Sequence, residues 1–369
     1  MTRQSVKLKR PATAASAAAG WVLALGLATY LGLGQGSAPA HAAAPEPGET
    51  TAGVLGVDAR TQRVIDGALR FLADRQTESG AWNGQGDKHR AAITAYVLNT
   101  FLATGNLPNE GEYGEVVARG LDYLLNECVR PDGYIANPTG ESNMYGHGIA
   151  TIVLGEVYGQ TADERIRPKL ESAIRLIIET QNGEGGWRYQ PRRADADVSV
   201  TVLQVVALRV AKNSGIDVPQ ETIDRAVAYV KSCQDENSGG FNYQPRRKDP
   251  GFARTAAAIY SLQVCGLYDD PMIAAGSEYL VKNYKNDRKW FTYGSFYAAP
   301  AKYMIGGDTW RDWYAMAAGE LLEKVEERDG GQFFWKPIDG GRGVNDIYAT
   351  AVYTTVLALP LQYLPIYQR

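Results

Sequence analysis

Two carboxylates two residues apart, Asp195 and Asp197, stand immediately before an apolar segment that opens Val198-Ser199. Such a pair can do acid chemistry. A carboxyl group in apolar surroundings beside a second carboxylate keeps its proton at a higher pH than usual, and can then act as an acid near neutral pH. Asp197 is the candidate acid, and Asp195 the group that tunes it by like-charge repulsion. The plainer role for Asp197 is an N-cap, accepting from a backbone N–H that the helix leaves without a partner. More polar residues lie just ahead of, or at the start of, other apolar segments: Tyr145 and His147, Arg254, Tyr297, and Asp346 with Tyr348. If those segments are helices sharing one direction, the residues gather at one end as a ligand-binding cluster; if not, each caps or pairs locally. Asp197 with Asp346 is the one pair nominated to flank a glycosidic bond.

The elements that must position these residues repeat along the chain. ALRFLADRQTESGAW ends at Trp82, AIRLIIETQNGEGGW at Trp187 and AVAYVKSCQDENSGGF at Phe241. Each is an amphipathic helix, then Gln, a glycine turn and an aromatic. Weaker copies end at Tyr134, with Cys128 in the Gln position, near Trp290, and at Trp335. The landmarks recur at roughly fifty residues, the period of a helix-pair repeat. After each turn comes a second segment rich in Ala, Val, Leu and Thr: 91–104, 148–158, 199–213, 255–266, 295–305 and 349–361. A helix apolar nearly all round is buried on all sides. The pattern predicts an all-α (α/α)6 toroid of six helix pairs, inner helices ringed by amphipathic outer ones.

Lys7, Lys9 and Arg10, an apolar run over 17–34 and Ala40-His41-Ala42 have the order of a secretory signal. Residues 1–42 are therefore expected to be a signal peptide or N-terminal membrane anchor, 43–58 a flexible linker, and 59–369 the toroid. The protein is then exported, to the periplasm, cell envelope or exterior. A net charge of −3 with no long basic run argues against nucleic acid as a partner. Three scattered cysteines make neither a disulfide framework nor a metal cluster. The stretches Gln190–Arg193 and Gln244–Lys248 read as solvated basic loops before a contact for an anionic surface, and the aromatic-rich stretch from Trp290 to Trp313 as core before the lining of a sugar or lipid groove.

The Gln–Gly–Trp spacing resembles the repeat of squalene–hopene and oxidosqualene cyclases, whose α/α toroid is shared by protein prenyltransferase β subunits. Tyr145–Thr151, Asp197–Thr201 and Leu364–Arg369 are closer still to exported bacterial proteins with the prenyltransferase/squalene-oxidase repeat. The prenyltransferase resemblance implies a catalytic zinc held by Asp, Cys and His. Here Tyr293-Gly294-Ser295 stands where the Asp and Cys belong, and Ala349 where the His belongs, so no metal and no cofactor is expected. The cyclase resemblance implies an Asp-x-Asp-Asp acid motif. Asp195 and Asp197 match two of its acids, and Val198 replaces the last.

Three functions are left. One is a metal-independent, cyclase-like isomerase or lyase holding an isoprenoid or other lipid, which enters from the membrane. The second is a non-catalytic binding or scaffold domain of the cell envelope, with its partner protein unspecified. The third is a polysaccharide-acting (α/α)6 enzyme, marked by an open polar groove lined with aromatics.

Overall fold

A computed structural model describes residues 56–84, 89–339 and 345–367. The expected signal segment and most of the expected linker lie outside the described residues. These residues form twelve α-helices in an all-α toroid. The outer helices are α1 (Ala59–Ala73), α3 (Gly114–Tyr123), α5 (Ile166–Thr180), α7 (Gln220–Ser232), α9 (Pro271–Asn283) and α11 (Gly307–Lys324). The inner helices are α2 (Arg90–Ala103), α4 (Met144–Gln160), α6 (Val198–Asn213), α8 (Phe252–Val264), α10 (Phe291–Ile305) and α12 (Asp346–Ala358). Each inner helix packs on the next, and α12 packs on α2, so the ring is closed. A short hairpin, β1 (Glu326–Arg328) and β2 (Gln332–Phe334), leads from α11 back to α1. Phe334 stacks on Phe71 there, with ring centroids 5.1 Å apart.

The inner helices fit their sequence. Nearly every side chain of α2, α4, α6, α8 and α12 is buried. Several start earlier than their apolar segments do, α4 at Met144, α8 at Phe252 and α10 at Phe291. The reason is physical. The first turns face the open end of the ring and carry polar residues, which apolarity alone does not count as helix.

The repeated Gln, Gly and Trp form a hydrogen-bonded clasp. Gln181 Nε2 donates to the carbonyls of Gly185 and of Thr222 on the next outer helix, both at 2.9 Å. Gln76 does the same to Gly80 and Val116. The turn glycine has to be glycine: Gly185 sits at φ 96°, and a Cβ there would lie 2.2 Å from Arg225 O. The Trp187 backbone N–H donates to Thr201 Oγ1 at 3.0 Å, and its indole Nε1 to Ile177 O at 2.8 Å. Trp82 with Thr94, and Trp335 with Thr350, repeat that pattern. Each buried indole contributes roughly 4 kcal/mol of apolar burial, an upper figure.

Two repeats differ. In the second, the Ile135 N–H donates to His147 Nδ1 at 3.0 Å, so a histidine takes the place of the threonine. In the fifth, Trp290 leaves the clasp, caps α10 from outside and stays 45% exposed.

Candidate functional site

The inner helices all begin at one end of the ring, where several need side-chain caps. Asn143 Oδ1 accepts from Tyr145 and Gly146 N–H groups, and Asn345 Oδ1 from Tyr348 N–H. Asp197 Oδ1 accepts from Val200 N–H at 3.0 Å. Inside this ring of caps lies a cavity of about 680 Å³.

Its walls are aromatic and charged. Tyr145, Tyr293 and Tyr348 come from the first turns of inner helices and Tyr96 from a second turn, Tyr189 and Tyr243 from the turns that join outer to inner helix, and Trp290 from the rim. The rings touch edge to face: Tyr145 meets Tyr293 at 6.1 Å, and Tyr96 meets Tyr348 at 4.9 Å. Arg188, Arg247, Arg254 and Lys289 supply positive charge, and Asp249, Asp287 and Asp339 negative charge. Arg254 Nη1 pairs with Asp249 Oδ2 at 2.9 Å. Asp287 Oδ2 accepts from Phe252 N–H, and Asp339 Oδ1 from Thr292 Oγ1.

Two rim residues hold a backbone conformation that L residues rarely adopt. His89 sits at φ 58° and Trp290 at φ 60°, each at the N-cap of an inner helix. Such a residue costs about 1 kcal/mol, and the cost is commonest at sites where geometry serves binding.

The two aspartates separate in role. Asp195 is largely exposed and pairs with Arg188 Nη1. Asp197 is fully buried. Its Oδ2 accepts from the Tyr243 hydroxyl at 3.0 Å and lies 3.1 Å from Arg188 Nε. Burial pushes the Asp197 carboxyl above its ordinary range, against the pull of the Val200 N–H, the Tyr243 hydroxyl and the Arg188 charge. The Tyr243 hydroxyl also meets that of Tyr189, at 2.5 Å. Asp197 therefore reaches the cavity through Tyr243 and Arg188, which line it.

Of the residues singled out in the sequence, Tyr145, Arg254 and Tyr348 line the cavity together. Tyr297 lies fully buried beneath it, its ring 4.9 Å from that of Tyr293. Asp346 begins α12 and accepts from its neighbour Ile347 N–H. His147 lies elsewhere, buried in the second clasp, and burial pushes it down to about 4, so it is neutral. Sequence reasoning passed over Arg188, Tyr189, Tyr243 and Asp249, and set Trp290 in a stretch read as core before groove lining. One signal was present. Tyr-Gln-Pro-Arg-Arg occurs at 189–193 and again at 243–247. These loops are more than solvated, since Tyr189, Tyr243 and Arg247 form cavity wall.

A prenyltransferase-type zinc does not fit these residues. Ala349 has no donor, Ser295 Oγ donates to Phe291 O, and no Cys lies beside Asp346. Among the described residues no group of three His, Cys, Asp or Glu side chains is arranged for a metal ion.

The prenyltransferase alpha-alpha toroid domain profile matches residues 50–224 and 198–329. No curated protein sequence matches the chain. Among solved structures, a variant of the type II terpene cyclase MstE from Scytonema, in complex with geranylgeranyl dihydroxybenzoate, is similar. Its TM-score is 0.58 at 17% identity, over 83% of this chain and 98% of that one. Cellobiose 2-epimerase from Spirochaeta thermophila DSM 6192 has a TM-score of 0.63 at 14% identity, over 82% and 96%. The cellobiose 2-epimerase from Bacillus thermoamylovorans B4167 has 0.63 at 14%, over 82% and 98%. At these identities the likeness is one of fold.

Proposed function

The chain belongs to the prenyltransferase alpha-alpha toroid domain family, and from that premise we propose that its mouth binds a sugar chain and performs acid–base chemistry on it. Trp290 is the observation that carries the proposal. A large aromatic is held out of the core at a costly φ of 60°, 45% exposed, on the rim of a cavity. Sugar rings present apolar C–H faces to such platforms and hydroxyls to neighbouring Asp and Arg side chains. Related folds accommodate both isoprenoid and sugar substrates, so the lining has to decide. An isoprenoid needs dry apolar volume, and here the barrel axis is packed by Tyr96, Phe296, Tyr297, Tyr260 and Tyr367.

In this proposal Tyr189, Tyr243 and Asp197 form a relay that takes a proton from a sugar carbon and returns it, as an isomerase or lyase requires. Asp197 is its inner end, with a proton affinity raised by burial. Export through residues 1–42 belongs to the same proposal and would present the mouth to envelope glycans. Titration calorimetry with cellohexaose and with a charged hexasaccharide tests it: binding that Trp290→Ala weakens by tenfold or more is expected, and no binding of either by the folded wild type would overturn it. Binding without turnover of any sugar would leave an envelope binding module.

A second function rests on Asp197 itself, a buried acid opening an inner helix as in a cyclase. Mass spectrometry of lipids that co-purify with the wild type and with Asp197→Asn decides it. An isoprenoid converted only by the wild type would favour it over the sugar site.

A further inference from the structure

The duplicated Tyr-Gln-Pro-Arg-Arg is built into the mouth twice in the same way. The carbonyl of Tyr189 accepts from Met144 N–H, at the start of α4, and the carbonyl of Tyr243 accepts from Val198 N–H, at the start of α6. Each tyrosine is thus anchored to the inner helix of the preceding repeat, and the two hydroxyls meet. Gln244 Nε2 fixes the second loop to Ala196 O at 2.8 Å. Of the arginines that follow, Arg247 lines the cavity, as does Arg188 just ahead of the first motif.

This edge of the cavity is positive in a chain whose formal charge is −3. Arg188 and Arg247 each lie 5.5 Å from the Tyr243 ring centroid, and Arg254 lies 6.0 Å from it. Three guanidinium groups around one ring repel one another. Asp195 and Asp197 against Arg188, and Asp249 2.9 Å from Arg254 and 3.9 Å from Arg247, relieve much of that. Arg192, Arg246 and Lys248 lie on the same two loops. All three are exposed, and none pairs with a carboxylate among the described residues. The inner-helix N-termini add positive potential from the same side. A neutral sugar gains only ordinary hydrogen bonds from this arrangement, whereas a carboxylate on a sugar adds charge-assisted, forked guanidinium contacts.

We propose that the ligand of the mouth is an acidic glycan, a chain of uronic-acid units whose rings stack on Trp290 and the wall tyrosines while their carboxylates meet the two Tyr-Gln-Pro-Arg-Arg loops. This rests on the sugar site proposed above and names its substrate class. An anionic membrane is the competing occupant of a basic edge. A glycan is favoured because the arginines border a recessed cavity with aromatic walls, and a lipid surface reaches only the rim.

The test titrates the full chain with a galacturonic acid hexamer and with cellohexaose, at about 50 mM and about 500 mM salt. The uronate is expected to bind about tenfold or more tightly at low salt, and to lose that advantage at high salt. Replacing the outer charges together, Arg192→Gln, Arg246→Gln and Lys248→Gln, should bring the uronate down towards the cellohexaose affinity and leave cellohexaose unchanged. Trp290→Ala should weaken both. Circular dichroism confirms that each variant is folded. Equal affinity for both hexamers without salt dependence would overturn the acidic-glycan assignment and leave the sugar site standing. Failure of both hexamers to bind would sink the two together. Binding to phosphatidylglycerol vesicles that the uronate hexamer does not displace would mean that the edge faces a membrane, and would also overturn the assignment.

Discussion

At one end of the toroid the inner helices begin at Asn143, Asp197 and Asn345 around a cavity of about 680 Å³. At the other end the same helices finish against the turn Pro365–Tyr367, and Tyr367 enters the barrel beside Tyr260, with ring centroids 6.4 Å apart. Asn99 Nδ2 reaches the Tyr367 hydroxyl at 3.5 Å. A groove of about 790 Å³ lies at this end, with Glu156 in its lining. It has one aromatic wall residue, Tyr158, and no residue at positive φ. Burial pushes the Glu156 carboxyl up to about 8, so it is largely uncharged at neutral pH. The same helices therefore give one end strained aromatics around a charged cavity, and the other a tyrosine-packed axis, a buried neutral acid and a groove edged by Asp163, Glu164 and Arg167. Stability resides at the packed end. The mouth holds groups that cost stability, which is where a ligand is expected.

Changes at the two ends should then separate stability from binding. Tyr367→Ala should be the most damaging, costing about 3–5 kcal/mol in denaturant unfolding because it leaves a cavity on the barrel axis. Sugar binding at the mouth should survive it in the folded fraction. Loss of binding in parallel would show that the two ends are coupled.

Glu156 should make stability depend on pH. Its folded pKa is raised, so between about 4.5 and 8 the unfolded chain holds fewer protons, and stability falls as pH rises through that window. The fall should be about 2 kcal/mol between pH 5 and pH 7, and Glu156→Gln should abolish it. Melting temperatures of both forms across that range check this.

At the mouth, Asp197→Asn should change stability by no more than about 1 kcal/mol, since Asn caps a helix as well as Asp does. Turnover should fall by at least about a hundredfold if Asp197 ends the proton relay. Trp290→Gly should have the smallest effect on unfolding, below about 1 kcal/mol, because relief at φ 60° offsets lost burial. Its sugar affinity should still drop tenfold or more. A large loss of stability in Trp290→Gly would place that tryptophan among the clasp residues and erase the contrast between the ends.

Much of the ring was legible in advance because it depends on local pattern. The Gln–Gly–Trp spacing that ends at Trp82 and Trp187 marks a turn only glycine can make, and the apolar run after it marks a helix buried all round. Asp197 was legible as a cap for the same reason, since capping is a matter of neighbouring residues.

The mouth was less legible. Trp290 has the sequence position of a clasp aromatic, and only the fold turns it outward at the start of α10. His147 has the sequence of a site residue, and the fold uses it as a threonine substitute in the second clasp. Sequence by itself determined the helices, their inner and outer faces and the closure into six pairs, because periodicity and turn chemistry act over a few residues. Only the tertiary structure decided which polar side chains share the cavity. Tyr145, Arg188, Tyr243, Arg254, Trp290 and Tyr348 come from turns and helix starts spread over two hundred residues, and ring closure is what brings them within reach of one ligand.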